Sequence, residues 1–315
     1  MIDRQKIAII GTGHVGMAAA FAIFQQKLAS EILLIDKNIS RAEGEALDLM
    51  HGQPLVGRCS VSAGDFQDLE GSSMVVVCAG VSQSSPEESR LELLKRNISV
   101  FEVIAKNIDL YAPNALLIIA SNPVDILTQA MQNLSQRPRQ LIIGTGTLLD
   151  SSRFRTLLAQ YYDVSPQSVH AYILGEHGDT EVPLWSSASI GGVPIRGNTV
   201  NGRNFNQEEM NELYCQVRNA AYDIIASKGH TNWAIGLVIA TIIRNIRDDQ
   251  RSIMPISVRL EGEYGIESVC LSVPAVVGSQ GVESHILPAL DDDELQGLKY
   301  SAATLADHIR QLGME

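Results

Sequence analysis

A glycine-rich segment near the start of the chain constrains the fold more than any other feature. The apolar run Lys6–Ile10 has the unbroken, β-branched character of a buried parallel strand. The motif Gly11-Thr-Gly-His-Val-Gly16 follows it without a gap. Residues 17–26 then have the pattern of an apolar-faced helix. A strand, a glycine turn and a helix in this order are typical of the first unit of a dinucleotide-binding sheet.

The glycines of this motif have separate roles in such a unit. Gly11 permits a tight turn, Gly13 lets a pyrophosphate approach the backbone, and Gly16 allows the helix to pack closely on the strand. The phosphates would face the positive end of the helix. The residues predicted to contact the cofactor here are Gly11, Thr12, Gly13, His14, Val15 and Gly16.

An acid at the end of the second predicted strand selects the cofactor. Asp36 closes the apolar run 32–36 and lies 23 residues after Gly13, close to the expected ~20. A carboxylate there accepts hydrogen bonds from ribose hydroxyls and repels a 2′-phosphate. The sequence therefore predicts NAD in preference to NADP.

Two further apolar runs, 74–79 and 115–120, predict strands that end in polar segments. Ligands bind at the carboxyl ends of strands in an open parallel sheet. We therefore expect Ala79 and Gly80 to contact the cofactor and Asn122 to lie beside the nicotinamide. A plain turn residue before Pro123 is the alternative interpretation of Asn122.

The polar segment 81–89 has no apolar anchor and precedes a predicted long helix, 91–111. This composition predicts a loop that closes over a site. Arg90 lies at its far end, where an ordinary surface arginine is the alternative.

The second half of the chain contains a histidine in an unusual setting. His177 lies between two glycines and two acids, after the apolar run 171–174. Asp150 and Arg153 lie three positions apart at the start of a predicted helix and therefore on the same face of it. They are either site residues or a simple ion pair within the helix. Helices are also predicted at 214–227, 233–246 and 291–312, and antiparallel strands at 252–260 and 268–277.

These patterns predict an α/β chain of two domains. A Rossmann-type doubly wound parallel sheet would occupy residues 1–145, and a C-terminal α+β substrate domain residues 146–315.

Composition excludes several other classes of protein. The net charge of −12 argues against sequence-independent nucleic-acid binding, which requires a basic face. The four cysteines, at 59, 78, 215 and 270, are too dispersed for a zinc site or a disulfide framework. They predict a reduced, cytoplasmic location. The longest apolar stretch is too short to span a bilayer.

The motifs together resemble the lactate/malate dehydrogenase family over essentially the whole chain. They are Gly11-Thr-Gly-His-Val-Gly16, Leu34-Ile-Asp36, Cys78-Ala-Gly80, Ser121-Asn-Pro-Val124, Leu149-Asp-Ser-Ser-Arg-Phe-Arg155 and Leu174-Gly-Glu-His-Gly-Asp179. The resemblance implies an NAD-dependent enzyme that oxidises a 2-hydroxy acid.

The resemblance also implies roles for individual residues. His177 would donate and accept the proton, Asp150 would orient its ring, and Arg153 would bind the substrate carboxylate. Arg90 would polarise the carbonyl from the lid. Asn122 would hydrogen-bond near the reacting centre, and Thr231 would line the pocket.

Charge in the segment 81–89 bears on which 2-hydroxy acid is used. The family residue three positions after Cys78-Ala-Gly80 tends to be arginine for malate and glutamine for lactate, and here it is Gln83. Pyruvate and L-lactate are therefore the expected substrates. The segment is one residue longer than usual and has Pro86-Glu-Glu88 in place of Pro-Gly-Glu, so malate or a bulkier 2-hydroxy acid stays an alternative.

Two further positions match an effector site of bacterial family members. Arg155 and His170 correspond to residues that bind fructose 1,6-bisphosphate across a two-fold axis. Two surface residues without a ligand are an equally good interpretation. The resemblance implies a homotetramer.

One non-enzyme class is also open, an NAD-binding sensor that has lost catalysis. Such a protein would have no reason to keep an acid, an imidazole, a carboxylate clamp and a lid arginine together.

Overall fold

The computed structural model describes residues 5–81 and 89–314. Of Arg90 it describes the backbone only. Gln83 and most of the predicted lid lie outside the described residues.

One mixed sheet forms the centre of the molecule, and its strand order is β16-β15-β14-β6-β5-β4-β1-β2-β3. Its strands are β1 (Lys6–Ile10), β2 (Glu31–Ile35), β3 (Ser60–Ala63), β4 (Ser72–Val77), β5 (Leu116–Ile119), β6 (Ile142–Gly144), β14 (Ser252–Glu261), β15 (Glu267–Gly278) and β16 (Gly281–His285). The first six are parallel, in the order 3-2-1-4-5-6. The prediction of a doubly wound Rossmann sheet is confirmed.

Shorter strands belong to the second half of the chain. They are β7 (Val169–His170), β8 (Ile173–Leu174), β9 (Val182–Pro183), β10 (Ser189–Ile190), β11 (Val193–Pro194), β12 (Thr199–Val200) and β13 (Arg203–Asn204).

Helices cover both faces of the sheet. Within the described residues they are α1 (His14–Gln25), α2 (Ile39–His51), α3 (Gln53–Val56), α4 (Arg90–Tyr111), α5 (Val124–Leu134), α6 (Leu148–Tyr162), α7 (Gln207–Lys228), α8 (Trp233–Arg247) and α9 (Asp292–Gln311).

Alternation along β1 shows why its residues 7–10 are all apolar. Ile7 and Ile9 belong to the hydrophobic cluster on one face of the sheet, and Ala8 and Ile10 to the cluster on the other. Because side chains alternate along a strand, a strand covered on both faces has no position for a polar residue.

The second half of the chain continues the same sheet. Its antiparallel strands β14, β15 and β16 join the parallel part through one residue pair, Ser257 with Gly144. A third cluster, around Phe154, Tyr162 and Trp185, lies under the short strands. The boundary at residues 145 and 146 stays a prediction.

Helix boundaries differ from the expected ones at two N-termini. Helix α1 begins at His14 rather than at residue 17, directly after Gly13. Helix α7 begins at Gln207 rather than at residue 214, because the Asn206 side chain accepts hydrogen bonds from the Glu208 and Glu209 N–H groups. Helices α2, α3 and α5 were not predicted.

No helix among the described residues is both long and apolar enough to cross a membrane.

Close packing of α1 on α8 gives a test of the fold. A Cβ atom at Gly236 of α8 would lie 2.7 Å from the Ala18 carbonyl carbon of α1. Gly236→Ala should therefore force the helices apart and lower the free energy of unfolding by about 1–3 kcal/mol. Gly44→Ala is the matched control, because Gly44 is an exposed helical glycine with open space around it. It should be stabilising by up to about 1 kcal/mol.

Urea unfolding of both variants measures the difference. Equal stability of Gly236→Ala and the parent protein would contradict the packing described.

Candidate active site

The segment that carries His177 is fixed to the sheet on its N-terminal side. The Gly175 N–H donates to the Ser272 carbonyl at 2.9 Å, and the Ser272 N–H donates back at 2.8 Å. Gly175 has φ +87°, and a Cβ there would lie 2.8 Å from the Ser301 Oγ. Only glycine fits this bridge without strain. The turn that follows then places His177 opposite the first turn of α6.

The His177 ring and Asp150 form the central contact of the site. The His177 Nδ1 lies 2.5 Å from the Asp150 Oδ2. The backbone N–H of His177 donates to the Asp125 Oδ2 at 2.8 Å. The histidine is therefore held at both its ring and its backbone. The Asp150 side chain is 4% exposed and that of His177 is 23% exposed, so the ring is the part that solvent reaches.

Electrostatics favour the ion pair. Burial lowers the pKa of His177, but the Asp150 carboxylate outweighs it and the pKa rises to about 9. For Asp150 the effect of burial is opposite and raises the pKa, but His177 and Arg153 bring the pKa below its ordinary value. The pair is therefore an imidazolium and a carboxylate at neutral pH.

Arg153 lies beside this pair. Its Nη1 donates to the Asp150 Oδ1 at 2.8 Å, and its side chain is 16% exposed. A guanidinium has five N–H donors, so most of this group is available to another anion. Its planar fork matches a carboxylate with two parallel hydrogen bonds.

A cavity of about 410 Å³ joins these groups. Four residues predicted from the sequence line it together: Asn122, Asp150, Arg153 and His177. Thr231 lines an adjoining cavity of about 710 Å³, which Arg153 also borders. The structure thus places Thr231 next to the His177 cavity and not in its wall.

Two predicted residues are not positioned by the described structure. Gln83 lies outside the described residues, and Arg90 is described only as the first residue of α4. The capping box of Ser89 and Glu92 explains why the helix begins there.

The glycine turn has the shape that a pyrophosphate requires. Gly11 has φ +100°, and a Cβ there would lie 2.6 Å from the Ala79 N. A Cβ at Gly16 would lie 1.9 Å from the Gly11 carbonyl oxygen, whereas Gly13 has no heavy atom within 4 Å of its Cβ position. The turn is therefore packed on two sides and open at Gly13, at the N-terminus of α1. A dinucleotide fits this cradle.

Asp36 lies beside the turn in an ionised state. The backbone N–H and the hydroxyl of Thr12 donate to its Oδ2, at 2.8 and 3.0 Å, and the Asn38 N–H donates to its Oδ1 at 2.9 Å. Burial raises the pKa of Asp36, but these hydrogen bonds bring it below its usual value. A fixed carboxylate at this place suits ribose hydroxyls.

Two histidines connect the glycine turn to the segment before α8. The His14 ring stacks on the His230 ring with 3.7 Å between centroids and 9° between planes. His230 immediately precedes Thr231. Desolvation of its ring, the neighbouring His14 and Lys228 all lower the pKa of His230.

The two residues of the predicted effector site do not line the His177 cavity. Arg155 is half-buried on α6, its Nη2 donates to the Pro166 carbonyl at 3.3 Å, and its buried Nε has no hydrogen-bond partner among the described residues. His170 is exposed on β7, which packs against α6.

Sequence reasoning missed several residues of the site. Asp125 was hidden within an apolar helix, and only its position after the motif Ser121-Asn-Pro-Val124 could have drawn attention to it. Asn97 is 2% exposed, and its Oδ1 accepts from the Val81 N–H at 2.9 Å at the start of the predicted lid. Glu181 and Arg218 also line the His177 cavity, and no sequence pattern marked them.

Comparison with known proteins agrees with this geometry. The lactate/malate dehydrogenase NAD binding domain matches residues 5–144, and the lactate/malate dehydrogenase alpha/beta C-terminal domain matches residues 147–314. The L-lactate dehydrogenase of Salinibacter ruber is 55% identical over 98% of this chain and 97% of its own length. That of Geobacillus thermodenitrificans is 43% identical over 95% of each chain.

Solved structures agree as well. The minor L-lactate dehydrogenase of Enterococcus mundtii has a TM-score of 0.95 and 37% identity, covering 99% of each chain. A lactate dehydrogenase from a Medee basin deep-sea metagenome library has a TM-score of 0.94 at 37% identity, covering 98% of this chain and 99% of its own. The chain therefore belongs to the lactate/malate dehydrogenase family, with its NAD-binding domain at the N-terminal end.

Proposed function

We propose that the protein is an NAD-dependent L-lactate dehydrogenase that interconverts pyruvate and L-lactate. The observation that carries the proposal is the meeting of His177, Asp150 and Arg153 in one cavity of about 410 Å³. A proton donor and a carboxylate clamp side by side suit a 2-keto acid. The names of the relatives, all lactate dehydrogenases, support the same substrate.

The residues of the glycine turn would hold NAD. Asp36 would bind its ribose hydroxyls, and Ala79 and Gly80 would also contact the cofactor. When bound, NAD supplies or accepts the hydride of the reaction. Asn122 would position the reacting end, since it lines the same cavity as His177.

His177 carries the proton. Its Nδ1 is engaged by Asp150, which leaves the Nε2 for the substrate. In pyruvate reduction the imidazolium donates its Nε2 proton to the keto oxygen, and in lactate oxidation the neutral ring takes the hydroxyl proton. The Asp150 carboxylate fixes the Nδ1–H tautomer and stabilises the cation.

Arg153 binds and orients the substrate carboxylate. Arg90 would polarise the keto group of the substrate. Gln83 would determine which substituent is accepted at C3. Thr231, in the adjoining cavity, would border the pocket. These last three roles rest on the family resemblance.

Assembly and regulation also belong to this proposal. Large apolar side chains are exposed on α1, α2 and α8, among them Phe21, Leu47, Trp233 and Leu237, each at least half exposed. Further copies of the chain in a homotetramer would cover such surface. Arg155 and His170 are proposed to bind fructose 1,6-bisphosphate. A cytoplasmic location stays a prediction.

Replacing the proton donor tests the reaction. His177→Asn should lower kcat for pyruvate-dependent NADH oxidation by about 100- to 10,000-fold, the usual contribution of a general acid. NADH binding, followed by nucleotide fluorescence, should be kept because His177 lies outside the glycine turn. A parent protein that binds NADH but reduces no 2-keto acid would favour the sensor alternative.

Substrate choice is tested at Gln83. Gln83→Arg should raise the ratio of kcat/KM for oxaloacetate to that for pyruvate by about 10-fold or more, because a charge-assisted hydrogen bond contributes ~1.5–3 kcal/mol. Gln67→Arg, at an exposed position, is the control for the added charge. A parent enzyme that prefers oxaloacetate would refute the assignment of lactate.

The effector proposal has its own measurement. Fructose 1,6-bisphosphate should lower the K₀.₅ for pyruvate in the parent enzyme, and the double change Arg155→Ala with His170→Ala should remove the response, because the phosphates would lose their cationic partners. Unchanged K₀.₅ and kcat in the parent enzyme would show that these residues are not an effector site.

A further inference from the structure

A third carboxyl group lies in the wall of the His177 cavity. Glu181 is 7% exposed and borders the cavity together with Asp150, Arg153 and His177. Its Oε1 is fully buried and has no hydrogen-bond partner among the described residues. A buried carboxyl oxygen without a partner is destabilising and rare in proteins. Its presence beside the reacting groups calls for a functional reason.

The backbone holds Glu181 at this place. Its N–H donates to the Gly178 carbonyl at 3.2 Å, within the turn that carries His177. Its own carbonyl accepts from the Tyr214 hydroxyl of α7 at 2.6 Å. The backbone of Glu181 is thus fixed between the turn and α7.

We propose that Glu181 is a positioning residue for the proton chemistry of His177, which stabilises the imidazolium and extends ketone reduction to higher pH. The proposal rests on the proposed function, because it concerns the same histidine. Glu181 acts through His177 and needs no contact with the substrate.

The charges around Glu181 determine when it ionises. Asp150 and Arg153 face it from α6, and Arg218 from α7. Burial and the Asp150 carboxylate raise the pKa of Glu181 to about 8, although His177 and the two arginines oppose the rise.

The charges around His177 come from three directions. Asp150 lies on α6, Asp125 on α5, and Glu181 on the same turn, and each raises the pKa of His177 against the effect of burial. The raised pKa of Glu181, about 8, and that of His177, about 9, fall in the same range. The negative charge of Glu181 therefore appears in the pH range where the imidazolium would otherwise be lost.

Glu181→Gln removes this charge and keeps the shape of the side chain. A neighbouring charge commonly shifts a pKa in a folded protein by about 0.5 to 1 unit or more. The midpoint of the His177 titration should fall by that amount. It is followed by NMR of ¹³C-labelled histidine in the free enzyme, and His177→Asn identifies its resonance among the seven histidines.

Two further variants separate charge from shape. Glu208→Gln removes a charge at an exposed position of α7 and should leave the midpoint unchanged. Glu181→Asp keeps the charge and should retain most of the parent midpoint. An unchanged midpoint in folded Glu181→Gln would overturn the proposal. If that variant does not fold, Glu181→Ala removes the same charge and takes its place: a midpoint lower by about 0.5 pH unit or more supports the proposal, and an unchanged midpoint overturns it.

The kinetic readout has a signature that structural damage would not produce. In Glu181→Gln the alkaline limit of pyruvate reduction and the acid limit of lactate oxidation should move to lower pH together. Near pH 9, where Glu181 is ionised in the parent enzyme, lactate oxidation should then gain several-fold relative to pyruvate reduction, whereas near pH 7 the ratio should change little. Lower rates in both directions with unmoved limits would refute the proposal. The NMR titration needs no substrate, so an inactive parent enzyme would refute the proposed function alone.

Discussion

The buried ion pair of Asp150 and His177 is the interaction on which the rest of the site depends. A carboxylate that is 4% exposed is stable only when cations and hydrogen-bond donors replace its water. Two cationic donors contact Asp150: the His177 Nδ1 lies 2.5 Å from its Oδ2, and the Arg153 Nη1 lies 2.8 Å from its Oδ1. Two cations around one carboxylate leave an excess positive charge in the cavity. That excess is what a monocarboxylate substrate would neutralise.

Much of the second half of the fold serves to bring α6 and the His177 turn together. The Thr147 hydroxyl donates to the Ile173 carbonyl at 2.6 Å, and the Ile173 N–H donates to the Ser151 hydroxyl at 2.8 Å. The Thr147 N–H donates to the Ser272 hydroxyl at 3.0 Å. These contacts join the N-terminus of α6 to β8 and β15, so that Asp150 lies on a rigid helix and the turn that carries His177 begins at a fixed strand.

The sequence predicted the parallel sheet, because the residues of a strand that are buried on both faces must be apolar, as residues 7–10 of β1 are. It also predicted the residues whose chemistry is marked by a local pattern, such as Asp150 three positions before Arg153. It did not predict α5, where Asp125, Thr128 and Gln129 are polar yet buried. Their partners are 52 to 141 residues away in the chain or on the preceding helical turn. Partners so distant leave no periodic signal.

The turn after β8 shows that a sequence pattern does not predict the surroundings of each side chain. Three acids there have the same charge in sequence but different surroundings. Glu176 accepts from the Thr180 hydroxyl at 2.5 Å, and Asp179 is exposed and accepts from the Tyr222 hydroxyl at 3.0 Å. Glu181 is buried, and its Oε1 has no partner among the residues described. Among these three acids, only Glu181 combines burial and an oxygen without a partner with a place in the wall of the His177 cavity. Desolvation beside other charged groups is what moves a carboxyl pKa into the range where a histidine titrates. A buried carboxyl oxygen without a hydrogen-bond partner, in the wall of a cavity that contains a histidine, therefore indicates a residue that influences proton transfer.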